Sequence, residues 1–227
     1  AGTYTITPSG LTSSNYTFSY VSGSLTMAKA PLTVTATNDT KTYNGLAYNG
    51  GNGASYSGFV NGETSAVLGG ALAYGGTAQG AVNAGTYTIT PSGLTSSNYA
   101  FSYVGGSLTV AKANATVTAA SDTFTYNYTG FVNGETAAVL TGVSVSGGGT
   151  NAGTYTTTAS GTDTNYTLSF VNGTMTINKV PLTVTANNDN KTYNGLAYNG
   201  GNGASYTGFV SGETSAVLGG AHGDCLL

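Results

Sequence analysis

The chain has 227 residues, of which 6% are charged, with five lysines, no arginine and a net charge of −3 at pH 7. That balance cannot neutralise phosphate, which excludes nucleic acid as a partner and argues against an electrostatic membrane-surface role. A single cysteine allows no intramolecular disulfide, and no apolar stretch is long enough to cross a membrane as a helix.

In chain order, residues 1–30 come first and match 84–113 with three changes, Thr17/Ala100, Ser22/Gly105 and Met27/Val110. They read as the C-terminal part of a truncated module. Residues 31–113 read as a complete long module and 114–180 as a complete short one. The block 181–221 repeats 31–71 with four changes, at Asn187, Asn190, Thr207 and Ser211, and reads as the N-terminal part of a further truncated module. Residues 222–227 leave the repeat and hold the only His and Cys, His222 and Cys225. Two such side chains without partners make a poor zinc site. A period of tens of residues means an array of similar units, and the broken ends mark the chain as an expected piece of a longer protein.

Within a module every strong signal is β. Leu32 and Val34 alternate with threonines, as do Tyr87 and Ile89. Tyr99, Phe101 and Tyr103 alternate with Ala100 and Ser102, and Leu108 and Val110 flank Thr109. Period-two alternation of β-branched and aromatic residues predicts strands with one buried face. Six or seven strands per module are expected, with a hairpin joining 99–104 to 107–110 across Gly105-Gly106, a site where the short copy has Asn172-Gly173. Glu63–Leu68 allows one helical turn or a short strand. The short copy lacks an insert placed at 45–55, which aligns Tyr126 with Tyr43. Lys29, Lys112 and Lys179 mark junctions with no Gly/Ser linker. The expected architecture is all-β: tandem small β-sandwich modules, immunoglobulin-like, arranged as an elongated rod.

The ordered motifs K-T-Y-N-G, SGFVNGET, NAGTYTIT and SNYAFSYVGGSLTVAKA resemble the MBG/YDG-type repeats of very large bacterial surface proteins. These include filamentous-haemagglutinin-like adhesins exported by two-partner secretion. The resemblance covers nearly all of the chain except 222–227. Asn44 and Asn194 stand where many members carry Asp, and the short copy has Phe124 where the long one has Lys41. The resemblance implies an extracellular, cell-surface β-rich stalk whose partners are adjacent modules of the same chain. Host glycans or surface proteins would be met elsewhere in the parent protein.

Candidate sites are few. Tyr43, Tyr48 and Tyr56 are expected in a Gly/Asn-rich loop, where exposed aromatics with polar neighbours can stack on sugars. They are the candidate ligand contacts if the modules themselves bind glycan. The carboxylates recur with the repeat as Asp39/Asp122/Asp189 and Glu63/Glu135/Glu213, which favours structural roles such as turn caps and local pairs. Calcium at a junction would need about six to eight oxygen ligands, more than these carboxylates offer, so no cofactor is expected. Lys112 with Glu135 and an Asn is a conceivable isopeptide set. No nucleophile elbow or zinc-protease motif occurs, so no catalytic residue is expected. Asn-x-Thr sequons stand at Asn15, Asn38, Asn114, Asn127, Asn165, Asn172 and Asn190.

Overall fold

A computed structural model describes residues 1–120 and 125–219; Asp122, Phe124, His222 and Cys225 fall outside them. The described residues form two compact units. One is Ala1–Ser146 with Thr157–Gly173; the other is Gly147–Thr156 with the residues from Thr174 on. The chain is all-β, and the only helical elements described are three 3-10 turns.

In the first unit, β1 (Gly2–Ile6) and β2 (Gly23–Met27) form an antiparallel pair. The long module supplies β3 (Ala30–Ala36), β4 (Asp39–Thr42), β5 (Ala54–Ser57), β6 (Gly69–Gly75), β7 (Gly85–Thr95), β8 (Tyr99–Val104) and β9 (Gly106–Ala111). They make a three-stranded sheet ordered β5-β3-β8 and a four-stranded sheet ordered β4-β9-β7-β6. Leu32 and Val34 of one sheet, and Ile89, Leu108 and Val110 of the other, are buried. The intervening Thr33, Thr35, Thr86, Thr88 and Thr109 are less buried or exposed. Each fully buried aliphatic of this kind stabilises by about 1.5–3 kcal/mol.

The expected sandwich of alternating strands is present, but its connectivity is its own. The β3·β8 and β4·β9 ladders are parallel, whereas immunoglobulin sheets are antiparallel. The expected hairpin across Gly105-Gly106 does not form: β8 pairs with β3, while β9 pairs with β4 and β7 in the other sheet. Gly106 is there for space. A Cβ on it would lie 2.7 Å from the carbonyl oxygen of Ala36, and one on Gly173 would lie 2.3 Å from that of Ala119. The glycine lets the chain cross between sheets against the end of the first strand.

The short module continues with β10 (Ala113–Ala119), β11 (Tyr126–Thr129), β12 (Ser144–Gly147), β13 (Gly153–Ser160), β14 (Tyr166–Val171) and β15 (Gly173–Ile177). Its sheets are ordered β11-β10-β14 and β12-β13-β15. Pairing corrects the alignment of its deletion. Val117 faces Tyr128 as Val34 faces Tyr56, and Ala119 faces Tyr126 as Ala36 faces Ala54. The amide of Ala120 donates to Thr125 as that of Thr37 donates to Gly53. Tyr126 is therefore the counterpart of Ala54, not of Tyr43, and the four residues 121–124 stand where the long module has all of 38–52.

In the second unit, β16 (Thr183–Ala186) pairs antiparallel with β17 (Ala204–Thr207). Glu63–Leu68 resolves as a single 3-10 turn, Ser65–Val67, capped by the Thr64 hydroxyl, and the same turn recurs at Ala137–Val139 and Ser215–Val217.

Candidate functional site: the tyrosine–glutamate junction

The motif Phe-Val-Asn-Gly-Glu-Thr builds the site. Asn133 and Gly134 both take positive φ, 53° and 72°, and the Glu135 amide donates to the Val132 carbonyl at 3.0 Å. That is a tight turn of the kind Asn-Gly favours. It holds the Glu135 carboxylate beside Tyr166, whose hydroxyl donates to Glu135 and accepts from the Val132 amide at 3.1 Å. The long module repeats the device with Asn61-Gly62, Glu63 and Tyr99. Sequence reasoning expected Glu63 to pair locally; its partner is the tyrosine 36 residues on.

Glu135 has a second donor from the neighbouring module. Tyr43 leaves the end of β4, donates its hydroxyl to Glu135, and meets the Tyr166 ring edge-on at 5.4 Å and 78°. Tyr43 is 5% exposed. It shares a core cluster with Ile89, Leu108 and Val110 of its own module and with Ala113, Ala115 and Tyr166 of the next. Around this pair, the Asn165 side chain accepts from the Ala84 amide at 2.8 Å and donates to the Asn83 side chain at 3.1 Å. The Asn165 carbonyl accepts from the Ala113 amide at 2.9 Å. Residues 1–30 meet the long module alike: the amino group of Ala1 donates to the Asn98 side chain, and Lys29 donates to the Ser96 carbonyl at 2.7 Å.

The environment suppresses tyrosine ionisation. The carboxylate of Glu135, with burial, pushes Tyr43 up to about 12. Burial foremost, then Glu135, also raises Tyr166; in the long module Glu63 raises Tyr99. These hydroxyls are donors, held protonated by an anion that needs their hydrogens.

The three candidate ligand tyrosines are not one surface. Tyr43 is enclosed at the junction. Tyr48 is partly buried, its hydroxyl on Asp39 at 2.8 Å, and burial with that carboxylate pushes it up to about 12. Tyr56 lies on β5 opposite Val34, with its ring 5.8 Å from Phe59. The loop that carries Tyr48 is tied down. Its backbone exchanges hydrogen bonds with Gly80 and Ala81, and Gly50 with the Gln79 amide at 2.7 and 2.8 Å. Only five residues, 148–152, join β12 to β13 where 76–84 join β6 to β7. The two larger losses of the short module thus fall on two segments that hold each other.

Lys112 donates to the Asp163 carbonyl at 2.5 Å, while Glu135 accepts from the two tyrosines. Asp39 receives the Thr40 amide and the Tyr48 hydroxyl. Among the described residues no three His, Cys, Asp or Glu side chains converge as metal ligands. Of the sequons, Asn38 accepts the Ser107 amide and Asn165 is held at the junction.

No curated protein matches the chain. The family model of the MBG domain, YGX type, matches residues 1–26, 32–109 and 108–176. With three successive matches over most of its length, and the same tyrosine–glutamate device in both modules, this chain belongs to the YGX-type MBG domain family.

Proposed function

We propose that these modules are structural spacers of a bacterial surface or secreted adhesin, exported to the cell exterior, and that they hold a distal binding region away from the cell. The work of such a segment is mechanical and needs neither a catalytic residue nor a cofactor. The observation that carries this reading is the junction. A single residue, Lys112, separates the last strand of one module from the first strand of the next, and Glu135 ties the Tyr43 of one module to the Tyr166 of the other. A spacer needs successive units that do not swivel, and a shared, partly buried carboxylate with a continuous apolar core resists swivelling.

Small-angle scattering of the chain tests the proposal. The maximum dimension should greatly exceed that of a globule of 227 residues, whose radius of gyration would be about 17 Å. A profile matching the compact value would overturn the spacer reading.

A further inference from the structure

We propose that the outer edge of β15 in the short module is a docking site for an extended peptide segment of another chain, taken up as a parallel strand.

In the long module the second sheet runs β4-β9-β7-β6; in the short module it runs β12-β13-β15. β15 is the counterpart of β9, with Gly173 at the place of Gly106. β9 therefore lies between two strands, while β15 pairs on one side only. The difference traces to the deletion. β4 belongs to the segment 38–52, for which the short module has 121–124. Among the described residues no strand takes the place of β4 beside β15. The open edge does not follow from where the chain stops. The module after the long one is complete, and it adds no strand to the β4-β9-β7-β6 sheet.

The edge is unguarded. β4, outermost in the long module's sheet, carries Asp39 and Lys41, and charge on an edge strand discourages pairing with other chains. β15 reads Gly-Thr-Met-Thr-Ile, without charge or proline. Its inner face is also incompletely covered. Leu108 and Val110 of β9 are 0% and 2% exposed, whereas their counterparts Met175 and Ile177 are half-buried. The long module specifies the occupant. β4 runs parallel to β9, with Asp39 opposite Leu108 and Thr42 opposite Ala111. The Tyr43 amide then donates to the Ala111 carbonyl at 2.7 Å, and the tyrosine shares a cluster with Leu108 and Val110. Backbone groups alternate in direction along a strand, so Ser107 and Thr109 face β4 as Ala111 does. Their counterparts Thr174 and Thr176 face the open edge. The segment that fits is short and extended, is rich in threonine, and ends in an aromatic residue that settles on Met175 and Ile177. Strand addition of this kind uses backbone pairing for affinity and side-chain pockets for specificity.

The test adds a synthetic peptide, Asn-Asp-Thr-Lys-Thr-Tyr-Asn, the sequence of residues 38–44, to the 227-residue chain. Amide hydrogen exchange is read residue by residue by NMR. With peptide raised to about 1 mM, exchange at Thr174 and Thr176 should slow about tenfold or more. The Met175 amide, turned towards β13, should change far less. In the long module the amides of Lys41 and Tyr43 lie on the side that faces β9. A peptide N-methylated at its lysine should therefore give no protection, and one N-methylated at the preceding threonine should protect as before. Thr176→Pro removes an amide that the β13 ladder does not use. It should abolish the effect of the peptide at Thr174 with an unchanged circular dichroism spectrum. Unaltered exchange at Thr174 and Thr176 would overturn the proposal, and so would equal protection by the lysine-methylated peptide. Protection that rises with chain concentration in the absence of peptide would assign the edge to a second copy and overturn it as well.

Discussion

Glu135 accepts from two tyrosine hydroxyls, one from its own module and one from the module before it. Tyr43→Phe removes only the second bond and keeps the ring packing. A hydrogen bond to a charged group contributes about 1.5–3 kcal/mol, and the carboxylate keeps Tyr166, so a loss of about 1.5 kcal/mol is expected. Glu135→Ala removes both bonds and leaves two buried hydroxyls without that acceptor, for about 3–5 kcal/mol. Glu63→Ala, whose carboxylate takes Tyr99 alone among the described residues, should cost roughly half as much. The assay is native-state hydrogen exchange at the Ala84 and Ala113 amides, both of which bond to Asn165 across the junction. Tyr43→Phe should lower their protection about tenfold. In the Glu135→Ala background the same change should add almost nothing, which corresponds to a coupling of about 1.5 kcal/mol. If the two substitutions simply add, with a coupling below about 0.5 kcal/mol, then Glu135 does not join the modules and the spacer argument loses its main support.

Alkali should loosen the long module. Tyr43 and Tyr48 are pushed up to about 12, so the folded chain keeps protons that an unfolded tyrosine releases near 10. Their contribution is full below pH 10 and is lost as pH rises from 10 to 12. Urea midpoints over that range should fall, more steeply for the wild type than for a Tyr43→Phe, Tyr48→Phe double variant, and equal slopes would refute this. Gly173→Ala should destabilise by about 1–3 kcal/mol or more, because its Cβ would lie 2.3 Å from the Ala119 carbonyl and 2.7 Å from the Thr157 hydroxyl. A thermal melt reads the effect, and an unchanged midpoint would sink the packing argument. Deleting 43–53 alone should cost more than deleting it together with 77–80. The first leaves the Gln79 side chain and the Gly80 amide without their partners in the loop, worth about 1–3 kcal/mol by melt midpoint. Equal costs would show that the segments are independent.

Repeat, strands and polarity of the faces were legible in the sequence because alternation at Leu32 and Val34, or Tyr87 and Ile89, is a local property of a chain with one buried side. The tight turn at Asn133-Gly134 is equally local, whereas the same dipeptide at Asn172-Gly173 makes no such turn and its glycine serves a close approach. What adjacency in sequence cannot express is which sheet a strand joins. Residues 99–104 and 106–111 look like a hairpin, yet they join opposite sheets, with Gly106 packed close against Ala36 at the crossing.

The site divides along the same line. Tyr43, Glu135 and Tyr166 could each be picked out by recurrence. That Tyr43 bonds a carboxylate of the next module depends on a contact spanning 92 residues. By itself the amino-acid order determined an all-β array of similar modules with uncharged outer faces, since strand propensity and alternation act over a few residues. Tertiary structure alone decided which strands pair in parallel and which tyrosines one carboxylate gathers, because those depend on groups far apart in the chain being brought together.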